Sequence, residues 1–88
     1  MTTSEAFERL TELVAIGTGG SEAAVAFLQA YKKQAEFDLR LVFKLDYKNK
    51  EAVATLLKVM GRPEYWEVCE QIDLKKLEEI EEKRRTTC

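Results

Sequence analysis

A chain of 88 residues with 14 basic and 16 acidic side chains, a formal charge of −2, no His, four Gly and one Pro is expected to form one small domain, 1–88. Apolar residues at 45% suffice for a core and argue against disorder. So few turn-formers suit helices joined by short loops better than a many-turned sheet, and the near-balanced charge gives no overall pull toward nucleic acid or anionic lipid.

Taken in order, the first helix is expected over about 3–16, with Thr2 and Glu5 at capping-box spacing and Ser4 as the other possible cap. Phe7, Leu10, Leu13 and Val14 recur on one face, and Gly17 stops the helix in a glycine-rich turn, 17–20. Ser21 then caps a second helix over roughly 21–35, whose inner face is Ala24, Phe27, Leu28 and Tyr31, widened by Val25 and Ala35. Small Ala residues on this helix permit close approach of a neighbour.

The stretch 37–45 alternates like a half-buried strand, yet also fits a short helix capped by Asp38 with Leu39, Val42 and Phe43 inward. With no second strand to pair its backbone groups, the helix is preferred. Asp46 opens another helix to about Met60, with Val53, Leu56, Leu57 and Met60 as the inner stripe and Gly61 as the stop. Pro63 suits a first turn. A charged C-terminal helix is expected over about 63–85, with Asp73 marking a break if there are two helices instead of one. The expected fold class is therefore all-α, a compact bundle of four to six short helices.

Chemistry is constrained by absences. Without His there is no histidine general base and no Ser-His or Cys-His pair, so no catalytic residue is expected. Cys69 sits at an apolar helical position and reads as a small core residue, while Cys88 reads as an exposed tail thiol. Two Cys and no His make neither a zinc site nor a disulfide framework, and neither metal nor cofactor is expected. The turn at 17–21 lacks the Lys of a phosphate loop, and Glu22 would repel an anion there. No stretch approaches the ~20 apolar residues of a membrane span, and no basic segment precedes an apolar run as in a secretion signal. A cytoplasmic protein is expected.

Two surfaces remain as candidates. Tyr47, Tyr65 and Trp66 are large aromatics near expected helix starts, a residue type that suits protein interfaces. The competing reading, in which Tyr65 and Trp66 complete a small core, stays open. Lys44, Lys48 and Lys50 flank Tyr47 and Asn49, with Lys32 and Lys33 nearby if the second helix packs close, and would serve a nucleic-acid-binding regulator. Lysines that merely keep a surface soluble are the plainer reading. Self-association through the C-terminal helix would make a homodimer.

The pattern Ala6-Phe7, Arg9-Leu10, Leu13-Val14-Ala15, Thr18-Gly19, Ser21, Val25 to Ala30, Phe37-Asp38-Leu39, Asp46 and Met60-Gly61 resembles a family of short helical proteins encoded on bacterial plasmids, phages and integrative elements. The likeness covers residues 5–61. Members of that family carry a Trp-rich segment where this chain has Tyr31-Lys32-Lys33, and a Trp near Phe43. That family has no established activity. The resemblance implies a mobile-element accessory protein and assigns no site residues. The function expected from all of this is a non-enzymatic protein-interaction module, such as one that binds and inhibits a host defence protein, with the small nucleic-acid-binding regulator as the alternative.

Overall fold

Local capping sets the helix limits. In the computed structural model, which describes residues 1–17 and 19–87 (the side chains of 19 and 84–87 excepted), α1 runs Thr3–Ile16. Thr2 Oγ1 accepts the Glu5 N–H at 3.1 Å and donates its own proton to Glu5 Oε1 at 3.1 Å. Gly17 closes the other end at φ 74, a left-handed conformation that side chains adopt only with strain. Helix α2 spans Gly19–Lys33. It begins ahead of the expected cap, so Ser21 lies inside the first turn and is fully buried. Thr18 and Cys88, and with Cys88 the expected tail thiol, lie outside the described residues.

The ambiguous stretch is a 3-10 helix, Leu39–Lys44, capped by Asp38, whose carboxylate accepts the Arg40 N–H at 3.0 Å. The preference for a helix over a strand stands, but its inward face is different. Leu39 and Phe43 are exposed, while Phe37 and Leu41 pack on the core and Leu45 is buried. At three residues per turn Phe43 stacks with Arg40 on an outward face, whereas α-helical phasing had turned it in.

Helix α3 spans Tyr47–Lys58, its start closed by Asp46, which accepts the Asn49 N–H at 2.9 Å. Val53 and Leu56 are buried as expected, but Leu57 and Met60 are exposed. Leu57 sits one residue, and so about 100°, round from the buried Leu56, and Met60 falls in the turn after the helix has ended. The stretch expected as one helix over about 63–85 is two, α4 Pro63–Gln71 and α5 Leu74–Thr87. Ile72 leaves the helical path with ψ 118, and Asp73 recaps the chain by accepting the Lys76 N–H at 3.1 Å. This break turns Leu74, which is off the shared face of a continuous helix, onto the core with Leu77 and Ile80.

All these helices feed one core. Helix α1 packs chiefly on α3 and α2, α2 also meets the 3-10 helix and α5, and α1 touches α4 only lightly. Ala23 and Ala24 are fully buried, as expected of small residues at a close helix contact. Ala35 lies outside the core, contrary to expectation. Cys69 is buried and free, as its apolar position implied. The radius of gyration, 12.2 Å, matches the ~12 Å of a globular chain this long. On α5, Leu77 is buried and Leu74 and Ile80 pack partly against the core.

The carbonyl ends of α2, α3 and α4 are closed by side chains from other helices. Tyr65 on α4 donates its hydroxyl to the Tyr31 carbonyl in the last turn of α2, at 2.7 Å. Tyr31 donates in turn to the Leu56 carbonyl near the end of α3, at 2.8 Å. Lys32 Nζ donates to the Ile72 carbonyl at the end of α4, at 2.6 Å. The rings of Tyr31 and Tyr65 lie 4.9 Å apart, and Phe27, Phe37 and Trp66 extend the same run of aromatic contacts. Burial pushes the Tyr31 hydroxyl up to about 12, with Cys69 and Tyr65 nearby adding to it. Burial raises Tyr65 as well, reinforced by a hydrogen bond with Cys69 and partly opposed by one from Gln34.

Tyr65→Phe and Tyr31→Phe are each expected to cost roughly 1–2 kcal/mol in urea unfolding, because each strips a buried carbonyl of its donor. Unchanged midpoints would show that water closes those helix ends. The folded state holds the tyrosine protons more tightly than the unfolded chain, whose ordinary value is 10.0. The Tyr31 contribution is therefore complete below pH 10 and is lost as the pH rises from 10 toward 12, with Tyr65 acting in the same direction. Helical circular dichroism should fall in that window, as tyrosinate absorbance appears. Tyrosinate forming in a fully helical protein would contradict this.

Candidate interaction surface

The sequence from 38 to 47 must turn from α2 into α3, and it does so without giving any 3-10 residue to the buried core. Asp38 and Arg40 form a fork, with Arg40 Nε 3.0 Å from Oδ1 and a terminal guanidinium nitrogen 2.9 Å from Oδ2. Those hydrogen bonds hold the Asp38 carboxyl below its usual range. At its other end Lys44 Nζ donates to Glu22 at 2.9 Å, tying the segment to the start of α2. A Cβ added to Gly20 would sit 3.4 Å from the Lys44 carbonyl oxygen, so backbone from the two elements meets closely there. Capped at its start and tied to α2 at its end, the segment leaves Leu39 at 74%, Phe43 at 84% and Tyr47 at 82% exposure. A 3-10 rise of about 2 Å per residue keeps Leu39 and Phe43 within ~8 Å along the axis but about 120° apart round it, so the three exposed side chains are close along the chain without sharing one helix face.

Of the aromatics singled out from sequence, two stand in solvent and one does not. Tyr47 belongs to this surface, and Trp66 is 62% exposed, edge-on against Tyr65 at 5.1 Å. Tyr65 is only 3% exposed, with its hydroxyl committed to the α2 carbonyl end, so it cannot meet a partner. Adjacent residues on a helix point about 100° apart, and only one of the two can face the core. The signal was present in the spacing: Val68, Cys69 and Ile72 lie three, four and seven residues after Tyr65, the pattern of an inward face. Leu39 and Phe43 escape the sequence reading because the preferred α-helical phasing places them inward with Val42.

The lysines do not converge. Lys44 is paired with Glu22 and Arg40 with Asp38. Lys48 and Lys50 are both exposed on α3, but residues two apart on a helix do not share a face. Asn49 between them is buried. Lys32 and Lys33 belong to the other end of α2, bound to the Ile72 carbonyl and to Glu78. That end is about 15 Å along the helix from Glu22.

Two further features border the core. Leu57 and Met60 edge a hollow of about 260 Å³ backed by Phe27, Tyr31 and Phe37. A longer groove separates α1 from α4, with Phe7 on its floor. Among the described residues no helix is long and apolar enough to cross a membrane, and no three His, Cys, Asp or Glu side chains are grouped to hold a metal ion. No protein-family model, curated protein or solved structure matches the chain.

Proposed function

We propose that this chain is a non-enzymatic protein-interaction module whose partner docks on the surface formed by Leu39, Phe43 and Tyr47. The observation that carries the reading is the exposure of these three large apolar side chains around a 3-10 segment capped locally by Asp38 and tied to α2 by Lys44–Glu22. Small folded domains seldom leave such a group in water unless something covers it. Apolar anchors bordered by charge are the usual makeup of an interface centre and its rim, and exposed Lys48 follows Tyr47 directly at the start of α3. Absence of His from the chain also supports a binding role over catalysis. The finer reading, that the partner is a host protein blocked by an element-encoded chain, rests on the family likeness alone.

The test compares capture by the tagged wild type with capture by Phe43→Ser/Tyr47→Ser, from nuclease-treated bacterial lysate. These substitutions lie outside the core and should leave stability within about 0.5 kcal/mol. One stoichiometric protein retained by the wild type and lost from the variant is the expected outcome. Equal capture by both would sink the surface. Recovery of nucleic acid alone, abolished by Lys44→Glu/Lys48→Glu/Lys50→Glu, would favour the nucleic-acid regulator instead. For the finer reading, expression of the chain should protect a phage or plasmid from host defence, and the serine variant should not.

A further inference from the structure

The groove between α1 and α4 has a chemistry unlike the 39–47 surface and does not depend on it. These helices touch only lightly, so their facing sides leave an open trough of about 660 Å³. Phe7, packed on the core, and the buried Val68 form its floor. An apolar hollow of about 290 Å³ continues it toward α5, with Phe7, Thr11 and Gln71 lining both. Ala15, Leu77 and Ile80 wall that extension.

Along the α1–α4 trough the rim is acidic, while the extension toward α5 is edged by Asp73 and Lys76. Glu8 and Glu12 stand a turn apart on α1, and Glu64 and Glu67 a turn apart on α4, with no Lys or Arg lining this part of the groove. Among the described residues none of the four makes an ion pair. Like charges one turn apart destabilise a helix, and two such pairs face each other across the apolar floor.

We infer that this groove is the docking site of a basic amphipathic helix from a partner protein. Its apolar row lies along Phe7 toward Leu77 and Ile80. Lys or Arg residues on its flanks, at three- and four-residue spacing, meet Glu8 and Glu12 on one wall and Glu64 and Glu67 on the other. Charge complementarity selects this occupant: a neutral or acidic helix would desolvate four carboxylates without a counterion, and a nucleic acid would be repelled. A second copy offering α5 is disfavoured, because Leu77 on the apolar side of that Lys-bearing helix is buried and Leu74 and Ile80 pack against the core. A second copy offering α3 would appear in the test as a concentration-dependent dimer.

The probe is a labelled synthetic helix with a Leu row flanked by Lys, titrated with the full chain and read by fluorescence anisotropy. Binding should weaken as salt rises, fall roughly tenfold or more in Glu8→Lys/Glu67→Lys, and be unchanged in Phe43→Ser. The milder Glu8→Gln/Glu67→Gln should give a smaller loss in the same direction, which keeps the test valid if the lysine variant folds poorly. Because Phe43→Ser belongs to the other surface, failure here and failure of the 39–47 reading are separate results. Equal binding of a peptide with Glu in place of Lys, or of wild type and both variants, would overturn the assignment. A concentration-dependent dimer dissolved by the same substitutions would also overturn it, giving the groove to a second copy.

Discussion

Three short helices in this protein end where another helix supplies a donor to their free carbonyls, and the rest of the architecture depends on that closure. Helices of 15, 12 and 9 residues are marginal on their own, and the last carbonyls of each need partners once water is excluded. The last turn of α2 is the junction. Its Tyr31 carbonyl accepts from Tyr65, its Tyr31 hydroxyl donates to α3, and its Lys32 ammonium donates to the C-terminal cap of α4. Ring stacking between Tyr31 and Tyr65 adds apolar contact to the same pair. One helical turn thus fixes how three helix ends are placed, which a hydrophobic core alone, being non-directional, would leave loose.

Much of this frame was legible in the residues. The limits of α1, its Thr2–Glu5 closure and its Gly17 stop all follow from side chains that have few other local uses. Asp46, Gly61 and Pro63 likewise mark real boundaries. The misreadings share a physical cause, which is phase. A 3-10 helix repeats at three residues, so templates of period 2 or 3.6 assign its faces wrongly, and Phe43 was turned inward. Leu57 fits an inner stripe by composition, but a helix one position out of register with the core exposes it. Ser21 has the chemistry of a cap and sits in a first turn, because the glycines before it allow the helix to begin sooner.

The candidate surfaces were less legible than the frame because exposure is a property of tertiary packing. Tyr47 and Trp66 could be named from composition, whereas Leu39 and Phe43 could not be told from core residues until the 3-10 segment was seen to turn Leu41 rather than these two toward the core. The lysines illustrate the opposite error. Their closeness in sequence implied a patch, but Glu22 takes Lys44 and the helical turn separates Lys48 from Lys50. The acidic groove left a trace in the like-charge spacings of Glu8 with Glu12 and Glu64 with Glu67. Nothing local said that the two pairs would face each other.

A net charge of −2 therefore describes this molecule poorly, since its acidic groove and its lysine-bearing 39–50 stretch are formed by different helices. The two candidate surfaces also share a mechanical property. Both use residues whose removal leaves the tyrosine junction intact: the outward side of a 3-10 helix whose core contact is made by Leu41, and the outer carboxylates of α1 and α4. In a domain this small, where stability is a thin difference between large terms, that separation matters. Side chains that hold the helix ends, Tyr31, Tyr65 and Lys32, have little freedom to change for a partner's sake. Phe43, Tyr47 and the groove glutamates have that freedom, so binding can be tuned at their positions while the frame beneath them stays closed.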